Sequence, residues 1–555
     1  MFEKIRQTAS SQSRGGGLLG SVLSRPCIPD RFTVKPVDVW TGDPEQGRAC
    51  ISALFGEETH GNDLFSESKR LNSQNWLNSC RLDHVVLRDL VSAGVANVIK
   101  AGQFIIADWV AHHTKPTLIR APHALGADAS PWHADVMGAR LFMWAAYFDV
   151  FMAEADDKAQ DDFFESYYYQ AKALAKFDHS YAAGIPALKA LRGLLVAGFA
   201  MPGNGWESAA LAQIRRQIEL QILKDGSHIS RSPQELVSFT ALLLDIRGAL
   251  KYAAHDVPDE IQKAIERAGT AIRFFRYNDD GLAMFNGAQE GDHDRINAVL
   301  AQCGPRVKPP ESLGDAGYER VQKGRSLLLF DTGRSSSSPY DYKHHSAPLA
   351  FEFSHGKDRI FVNCGTHPTN DDLRESLRGT AAHSAASLDH RNAFEILETG
   401  HIGRHAKAPA VERQSKEGAV SLTATHDGYA VVNGIHHTRT LLMGKKGYDL
   451  HGQDQFSRAL RSRGKAQSDI SHLAMRFHIH PKVLVSLVRD GGEALPRLSG
   501  GIGWRFTHDV GTLSLEDSIY VGYGGQIRKT KQLVISGEFT GEATVSWSLI
   551  REGIS

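Results

Sequence analysis

The pattern of apolar residues changes character near residue 305, and this change constrains the fold more than any other feature. Before it, apolar residues recur at helical spacing, as at Leu211, Ile214, Ile218 and Ile222. After it, short apolar runs such as 326–330 and 532–535 lie between turn residues, as in strands. The chain also has 555 residues, which is too long for one hydrophobic core. The sequence therefore predicts a helical part followed by a β part.

We predict a multidomain α plus β protein with three parts. Residues 1–35 form a flexible N-terminal arm, 36–305 an α/α toroid-like domain of paired helices, and 306–555 a large antiparallel β-sandwich. Helices are expected at 82–101, 103–113, 131–155, 160–178 and 258–275. Proline is favoured in the first turn of a helix, so three prolines mark helix starts: Pro186, Pro233 and Pro258.

Composition narrows the class of partner. Lys plus Arg and Asp plus Glu are equal at 63 each, so neither nucleic acid nor a membrane surface is indicated as a partner. The five cysteines contain no CxxC pair, which favours a reducing compartment over a disulfide framework. The sequence contains no run of about 18 apolar residues, so no membrane-spanning helix is predicted. The basic N-terminus is a poor secretory signal, so we expect a cytoplasmic protein, with the periplasm as the alternative.

Two polar loops that carry histidine are the places where a site is expected. His228 lies in the loop 224–233, between two helical patterns. His345 follows Lys343 and His344 at the start of the β part. Functional side chains are found disproportionately on loops held by a regular scaffold. We therefore expect one site to which each domain contributes one loop.

Several short motifs, in this order and spacing, together resemble the heparinase II/III-like polysaccharide lyases over about residues 75–550. They are Asp-Gly-Ser at 225–227, His345 to Phe351, Asn-Cys-Gly at 363–365, Arg-Gly-Thr-Ala-Ala-His-Ser at 378–384, and the histidine motifs at 426–429 and 436–439. The resemblance implies a polysaccharide lyase that cleaves a uronate-containing glycan by β-elimination. Two positions depart from the family pattern: Lys343 replaces the catalytic first histidine of His-x-His, and Asn363 replaces the aspartate of Asp-x-Gly.

β-Elimination next to a uronate requires three contributions from the active site. The carboxylate must be neutralised, a base must take the C5 proton, and an acid must protonate the departing O4. The resemblance implies that four residues carry the chemistry: His228, Tyr277, His345 and His383. Arg276 beside Tyr277 would lower the pKa of the phenol towards that of a base. Tyr318 is a competing tyrosine, and His228 has the alternative of a helix-capping loop residue.

Further residues are candidates for binding substrate or metal. Aromatic rings stack on sugars and the arginine fork holds carboxylates, so the substrate-binding candidates are Arg231, Trp132, Arg140 and Tyr318. Each has the alternative of a core or solvated residue. A zinc site at His345, Asn363 and His383 would be at most weak, because an amide oxygen is a poor zinc ligand. No cofactor is required for elimination.

Three functions are compared. The first is a polysaccharide lyase whose partner is an acidic polysaccharide or oligosaccharide, with a homodimer left open. The second is a non-catalytic carbohydrate-binding or glycan-assembly protein on the same scaffold, which Lys343 and Asn363 favour. The third is a hydrolase, which ranks last because it needs two carboxylates across a cleft and no motif provides such a pair.

Overall fold

The computed structural model describes residues 28–55, 82–113, 116, 130–177, 183–404, 411–459 and 470–553. Within these ranges the N-terminal part is helical up to residue 302. Its helices are α1 (Pro44–Phe55), α2 (Val86–Ala93), α3 (Val98–His112), α4 (Ala134–Ala146), α5 (Phe148–Phe151), α6 (Asp157–Ala175), α7 (Gly184–Ala200), α8 (Trp206–Gln221), α9 (Pro233–Tyr252), α10 (Asp259–Phe275) and α11 (His293–Gln302).

Local sequence explains where the helices begin and how closely they pack. Helix α9 starts at Pro233, and the hydroxyl of Ser232 caps it by accepting from the backbone N–H of Glu235. Helices α4 and α7 approach at two glycines: a Cβ on Gly193 would lie 2.1 Å from the carbonyl oxygen of Gly138. Any larger residue at this crossing would force the two helices apart.

The structure corrects several predicted boundaries. Helix α3 runs through residue 102 without the expected break, and the helix expected over 131–155 is divided into α4 and α5, which ends at Phe151. The helix expected over 82–101 is broken into α2 and α3, because Gly94 and Asn97 adopt left-handed φ angles of 63° and 67°. Residues 28–35 belong to the helical domain and not to a flexible arm. Phe32 is buried there, with its ring edge-on to Tyr167 at 4.7 Å. Residues 1–27 of the predicted arm lie outside the described residues.

The C-terminal part consists of strands with one helix, α12 (Asp371–Leu377). The strands are β1 (Ser312–Leu313), β2 (Tyr318–Lys323), β3 (Ser326–Asp331), β4 (Phe351–His355), β5 (Asp358–Val362), β6 (Ala386–Leu388), β7 (Val411–Lys416), β8 (Ala419–His426), β9 (Ile435–Met443), β10 (Asp449–Arg458), β11 (Ile470–Ile479), β12 (Leu484–Val488), β13 (Glu493–Arg497), β14 (Trp504–His508), β15 (Thr512–Tyr520), β16 (Arg528–Thr540) and β17 (Ala543–Arg551).

The strands form two antiparallel sheets. The first has the order β1-β2-β3-β4-β5-β11-β16-β15, with β6 paired to β11, and the second has the order β12-β13-β14-β17-β10-β9-β8-β7. Alternate residues of the second sheet are buried against the first, where aromatic rings form much of the core: Phe351, Phe361, Phe477, Phe506 and Trp547. The predicted fold class, helical toroid followed by β-sandwich, is confirmed.

The described helices contain none that is long and apolar enough to cross a membrane. The helical and β parts meet along a polar seam, which includes the loop 224–233, Asp279, residues 315–316 and Arg359. The carboxylate of Asp225 accepts hydrogen bonds from the backbone N–H groups of Asp315 (2.9 Å) and Ala316 (3.0 Å). Arg359 of β5 pairs with Asp279 at 2.7 Å. The Asp225 bonds fix the loop that carries His228 against the β domain, and the Arg359–Asp279 pair ties the two parts together at a second place.

Candidate functional site

Arg231 is a tie between the two domains. It adopts a left-handed φ of 61°, and its Nε donates to the carbonyl of Ala316 at 2.6 Å. Its guanidinium pairs with the buried carboxylate of Asp331 and lies over the ring of Tyr318, 4.7 Å from the centroid. Arg231 is 5% exposed, so its guanidinium contacts other protein groups and not solvent. The expected role of Arg231 in binding a substrate carboxylate stays a prediction, and Asp331 already engages its guanidinium in this structure.

Tyr318, the second tyrosine candidate, is also enclosed. Its hydroxyl donates to the carbonyl of Arg231 at 2.8 Å and accepts from the amide of Asn286 at 2.7 Å. The oxygen of the same Asn286 amide accepts from the backbone N–H of His345 at 3.1 Å. Burial raises the pKa of Tyr318 far above its usual range. Asn286 thus links both histidine loops through Tyr318, which is positioned for structure and not for contact with a sugar.

His228 is buried, and both of its ring nitrogens are engaged. Nδ1 accepts from the backbone N–H of Ser230, so the proton lies on Nε2, which donates to the side-chain oxygen of Gln221 at 3.0 Å. Burial lowers the pKa of His228 to about 4. The ring is therefore neutral at physiological pH, and it can bind a uronate only if the Gln221 bond breaks.

His345 and His383 are brought together by the fold as a directed pair. His383 Nδ1 lies 2.8 Å from the carbonyl of Gly379, which can only accept, so Nδ1 carries the proton. His383 Nε2 must then accept from His345 Nδ1, also at 2.8 Å. This leaves Nε2 of His345 as a lone pair, with no hydrogen bond among the described residues. Gly287 faces it: a Cβ there would lie 3.8 Å away.

Tyr277 differs from its predicted environment. Its hydroxyl donates to Glu352 at 3.0 Å, and the guanidinium of Arg359, not Arg276, lies over its ring at 4.5 Å. Burial, and then the charge of Glu352, raise the pKa of Tyr277 well above its usual value. Arg276 instead bonds Asp280 at the surface. The expected lowering of the Tyr277 pKa is therefore wrong, because the neighbouring carboxylate favours the protonated phenol.

The residues proposed for zinc do not fit a metal site as they are arranged. The oxygen of Asn363 accepts from the backbone N–H of Ser384 at 3.1 Å, and its amide donates to Glu352 at 3.1 Å. Nδ1 of His345 and Nε2 of His383 form a hydrogen bond with each other, so neither is available to a metal. Across the described residues, no group of three or more His, Cys, Asp or Glu has a metal-holding arrangement. Asn363 acts instead as a brace between Glu352 and the strand that follows His383.

Two further substrate-binding candidates lie in the helical domain. Arg140 is fully buried, and its donors reach Gln170 and the carbonyls of Leu82 and Pro131 at 2.6–3.0 Å. Its expected role in binding a substrate carboxylate stays a prediction, and protein groups already engage its donors in this structure. Trp132 is half-buried, and its ring is 5.7 Å from the Arg140 guanidinium. Its predicted role in lining a cleft stays a prediction.

Lys343 is a partly exposed cation at the seam. Its Nζ lies 2.7 Å from Oε1 of Glu235 on α9, and its side chain is 36% exposed. The hydroxyl of Tyr342 donates to the same oxygen at 3.3 Å. Burial opposes ionisation of Glu235, but Lys343 and His228 outweigh it and leave the pKa of Glu235 below its usual range. The second oxygen, Oε2, is buried without a hydrogen bond among the described residues.

Sequence reasoning missed Glu235 and Glu352. Glu235 stands three residues after Ser232, a spacing that reads as a helix-capping box, so the motif assigns it to the helix. The structure turns its carboxylate to Lys343 instead. Glu352 directly follows the Phe351 motif and accepts from Tyr277, Asn363 and the backbone N–H of Met284. A charged residue within an apolar strand is the signal that points to it.

Comparisons with known proteins cover most of the chain. The sequence profile "Heparinase II/III N-terminus" matches residues 93–304, and "Heparinase II/III-like, C-terminal" matches residues 305–548. A curated relative, FtsZ-localized protein C of Caulobacter vibrioides, is 26% identical over 94% of this chain and 91% of its own length.

Solved structures share the fold. The crystal structure of heparinase III superposes with a TM-score of 0.71 at 15% identity, covering 95% of this chain and 88% of that one. Heparan sulfate lyase HepC of Pedobacter heparinus superposes with a TM-score of 0.60 at 15% identity, covering 95% and 86%. At these identities the likeness establishes the fold alone.

Proposed function

Since the chain belongs to the heparinase II/III-like family, we propose that it binds a uronate-containing glycan at the seam between its domains and does not cleave it. One observation carries this proposal. Lys343, a cation, is the accessible group at the position where the family has a catalytic histidine, while His228, Tyr277 and Tyr318 are each at most 4% exposed. The site therefore offers charge for binding without exposed acid or base groups.

The ammonium group of Lys343 suits a glycan carboxylate. It has three donors, and Glu235 occupies one of them in the described structure. Because Lys343 projects from the β domain and Glu235 from α9, a bound uronate would add a third charged partner to this contact between the domains. The name of the relative, FtsZ-localized protein C, gives a location and not a reaction.

A β-elimination lyase is the second candidate, and the lone pair on His345 favours it. In that reaction His345 Nε2 would take the C5 proton, and the C–H electron pair would form the C4–C5 double bond as the C4–O4 bond breaks. Lys343 would neutralise the carboxylate, and the imidazolium of His345 would return the proton that it took to the departing O4. Burial, with the nearby His383, lowers the pKa of His345 well below its usual value. His345 is therefore a weak base for such a demanding proton.

Affinity electrophoresis of the full chain tests the proposal, with heparan sulfate, chondroitin sulfate, hyaluronan or alginate in the gel. We expect retardation by at least one polymer. Lys343→Met should weaken binding about tenfold, through loss of a charge-assisted contact. Lys343→Arg keeps the charge and should retain binding, and Lys357→Met, at an exposed lysine of the same domain, is the matched control. Retardation that Lys343→Met leaves unchanged would contradict the proposed site.

Ultraviolet absorbance of the incubated polymers separates the two candidates, because elimination creates an unsaturated uronate. We expect no such product. If one forms, and His345→Gln abolishes it while leaving retardation intact, then β-elimination is the function. If none of the four polymers retards the chain and none is cleaved by it, both the binding proposal and the lyase alternative are wrong.

A further inference from the structure

A groove lies on the outer face of the second sheet, away from the core between the sheets. It is open to solvent and has a volume of about 450 Å³, within the range of roughly 300–1,000 Å³ found for small-molecule sites. Its lining comes from four neighbouring strands and the turn after β14: Thr440, Leu442, His451, Gly452, Gln453, Thr507, His508, Asp509, Ser546, Trp547 and Ser548. Most of the outward side chains are hydroxyl, amide or imidazole groups.

The strand register arranges these polar groups in two rows across the sheet. Gln453 lies opposite Thr440 on one side and Ser546 on the other. In the next row His451 lies opposite Ser548, which in turn lies opposite Thr507. Strands are about 4.8 Å apart, so each row presents a hydrogen-bonding side chain at that repeat. Such a ladder suits an extended ligand with polar groups along its length.

The hydroxyls keep hydrogen-bonding capacity for a ligand. Thr507 and Ser548 bond each other at 2.8 Å, and Thr440 bonds Thr423 on β8 at 3.0 Å. A hydroxyl pair shares one hydrogen, which leaves the second hydrogen and the remaining lone pairs available. These side chains are also held in place by their partners, which lowers the entropy cost of binding.

The floor of the groove is rigid. The indole of Trp547 lies so close beneath β10 that a Cβ on Gly452 would be 2.0 Å from the ring. Its Nε1 is anchored by Asp454 at 3.0 Å. Gly452 is therefore required for the close approach of the ring, and the outer surface above it remains open between His451 and Gln453.

The charge of the lining selects the class of ligand. Asp509 is the one carboxylate in it, and that carboxylate accepts from the backbone N–H of Ser546 at 2.7 Å. Neither lysine nor arginine is among the described residues that line the groove. A polyanion would find no countercharge, whereas an uncharged polyhydroxylated chain matches the hydroxyl and amide rows. We propose that this groove is a second carbohydrate site, which binds a neutral oligosaccharide independently of the seam.

Isothermal titration of the full chain with two neutral hexasaccharides of glucose, β-1,4-linked and α-1,4-linked, tests the proposal. We expect one of them to bind. The double variant Thr440→Val, Ser546→Ala removes a hydroxyl from each end of one row and should weaken binding about tenfold. Thr438→Val is the matched control, because Thr438 forms the same kind of hydroxyl pair on the same strand, with Thr425, yet lies outside the lining.

Three results would overturn the inference. The first is no binding of either hexasaccharide, and the second is binding that survives the double variant. The third is binding lost in Lys343→Met, because that would place the sugar at the seam. Binding unchanged in Lys343→Met and lost in the double variant supports the groove, whatever becomes of the acidic glycan at the seam.

Discussion

Two pairs of buried histidines have the same internal hydrogen bond but differ in the groups at their two ends. In the β-sandwich core, His426 Nδ1 accepts from the backbone N–H of Gly428, so its Nε2 donates to His437 at 3.1 Å. At the seam, His345 donates in the same way to His383. Each pair is a directed row of hydrogen bonds, and each ring is neutral because burial lowers its pKa.

The difference lies at the two ends of each row. The core row begins at a peptide N–H and ends on Asp454, which His437 reaches at 2.6 Å and Arg439 at 2.7 Å. The seam row ends on the carbonyl of Gly379 and begins at the lone pair of His345 Nε2. A row closed at both ends serves stability. A row open at one end can take a proton or a hydrogen bond from something outside the protein.

Asp454→Ala should have the largest effect on stability. It leaves Arg439 and His437 buried without their carboxylate, and loss of one partner of a buried ion pair costs about 3–5 kcal/mol. We expect the free energy of unfolding, measured by urea denaturation, to fall by this amount. Asp517→Ala, at an exposed pair with Lys531, should leave it essentially unchanged. A loss at Asp454 as small as the control would show that the core row is not closed by charge.

Acid should weaken the fold through two buried histidines of the seam. His228 and His383 have pKa values of about 4 in the folded chain, against about 6.5 when unfolded. The unfolded chain therefore binds more protons, and stability falls as the pH drops from about 6.5 to about 4. His228 alone contributes roughly 3 kcal/mol to this loss.

Urea denaturation at a series of pH values between 7.5 and 5 measures the effect before most carboxylates titrate. His228→Gln should show a shallower decline than the parent chain over this window. An identical decline would mean that His228 is protonated in the folded state, and with it the assignment of its hydrogen bonds would fail.

The smallest of the three effects is the difference between two matched substitutions. His426→Leu leaves both the Gly428 N–H and His437 Nδ1 unpaired, whereas His345→Leu leaves only His383 Nε2 unpaired. Each buried unpaired group costs about 1–3 kcal/mol. His426→Leu should therefore destabilise the chain more, by about the cost of one such group, in the same urea assay. Equal losses would indicate that His345 Nε2 has a partner in solution.

Much of the fold follows from local pattern. The alternation along 544–549 predicts β17, and Pro233 after Ser232 predicts the start of α9. The break between α2 and α3 was missed because the apolar spacing continues across it, while Gly94 and Asn97 set the backbone there. Apolar periodicity shows which face of a helix is buried. It does not reveal a short turn after which the apolar residues continue at the same spacing.

The site was less predictable, for a physical reason. Motifs identified the loops that hold His228 and His345, but the ring of His345 is paired with His383, 38 residues further along the chain, and His383 is paired in turn with the carbonyl of Gly379. A histidine's tautomer is decided by those partners. Arg231 shows the same limit, since its carboxylate partner is 100 residues away. Which side chains face a ligand is therefore a property of the assembled seam.

The tie between Arg231 and Asp331 also bears on how the two domains can be recombined. A helical domain transferred alone to another β-sandwich would bring a fully buried cation without the carboxylate and the Ala316 carbonyl that receive it. A chimera should thus fail at the junction even if both halves come from well-folded relatives. Moving residues 28–333 as one unit keeps the donor and its acceptors together, so the place to cut lies beyond β3 and not at the domain boundary near residue 305.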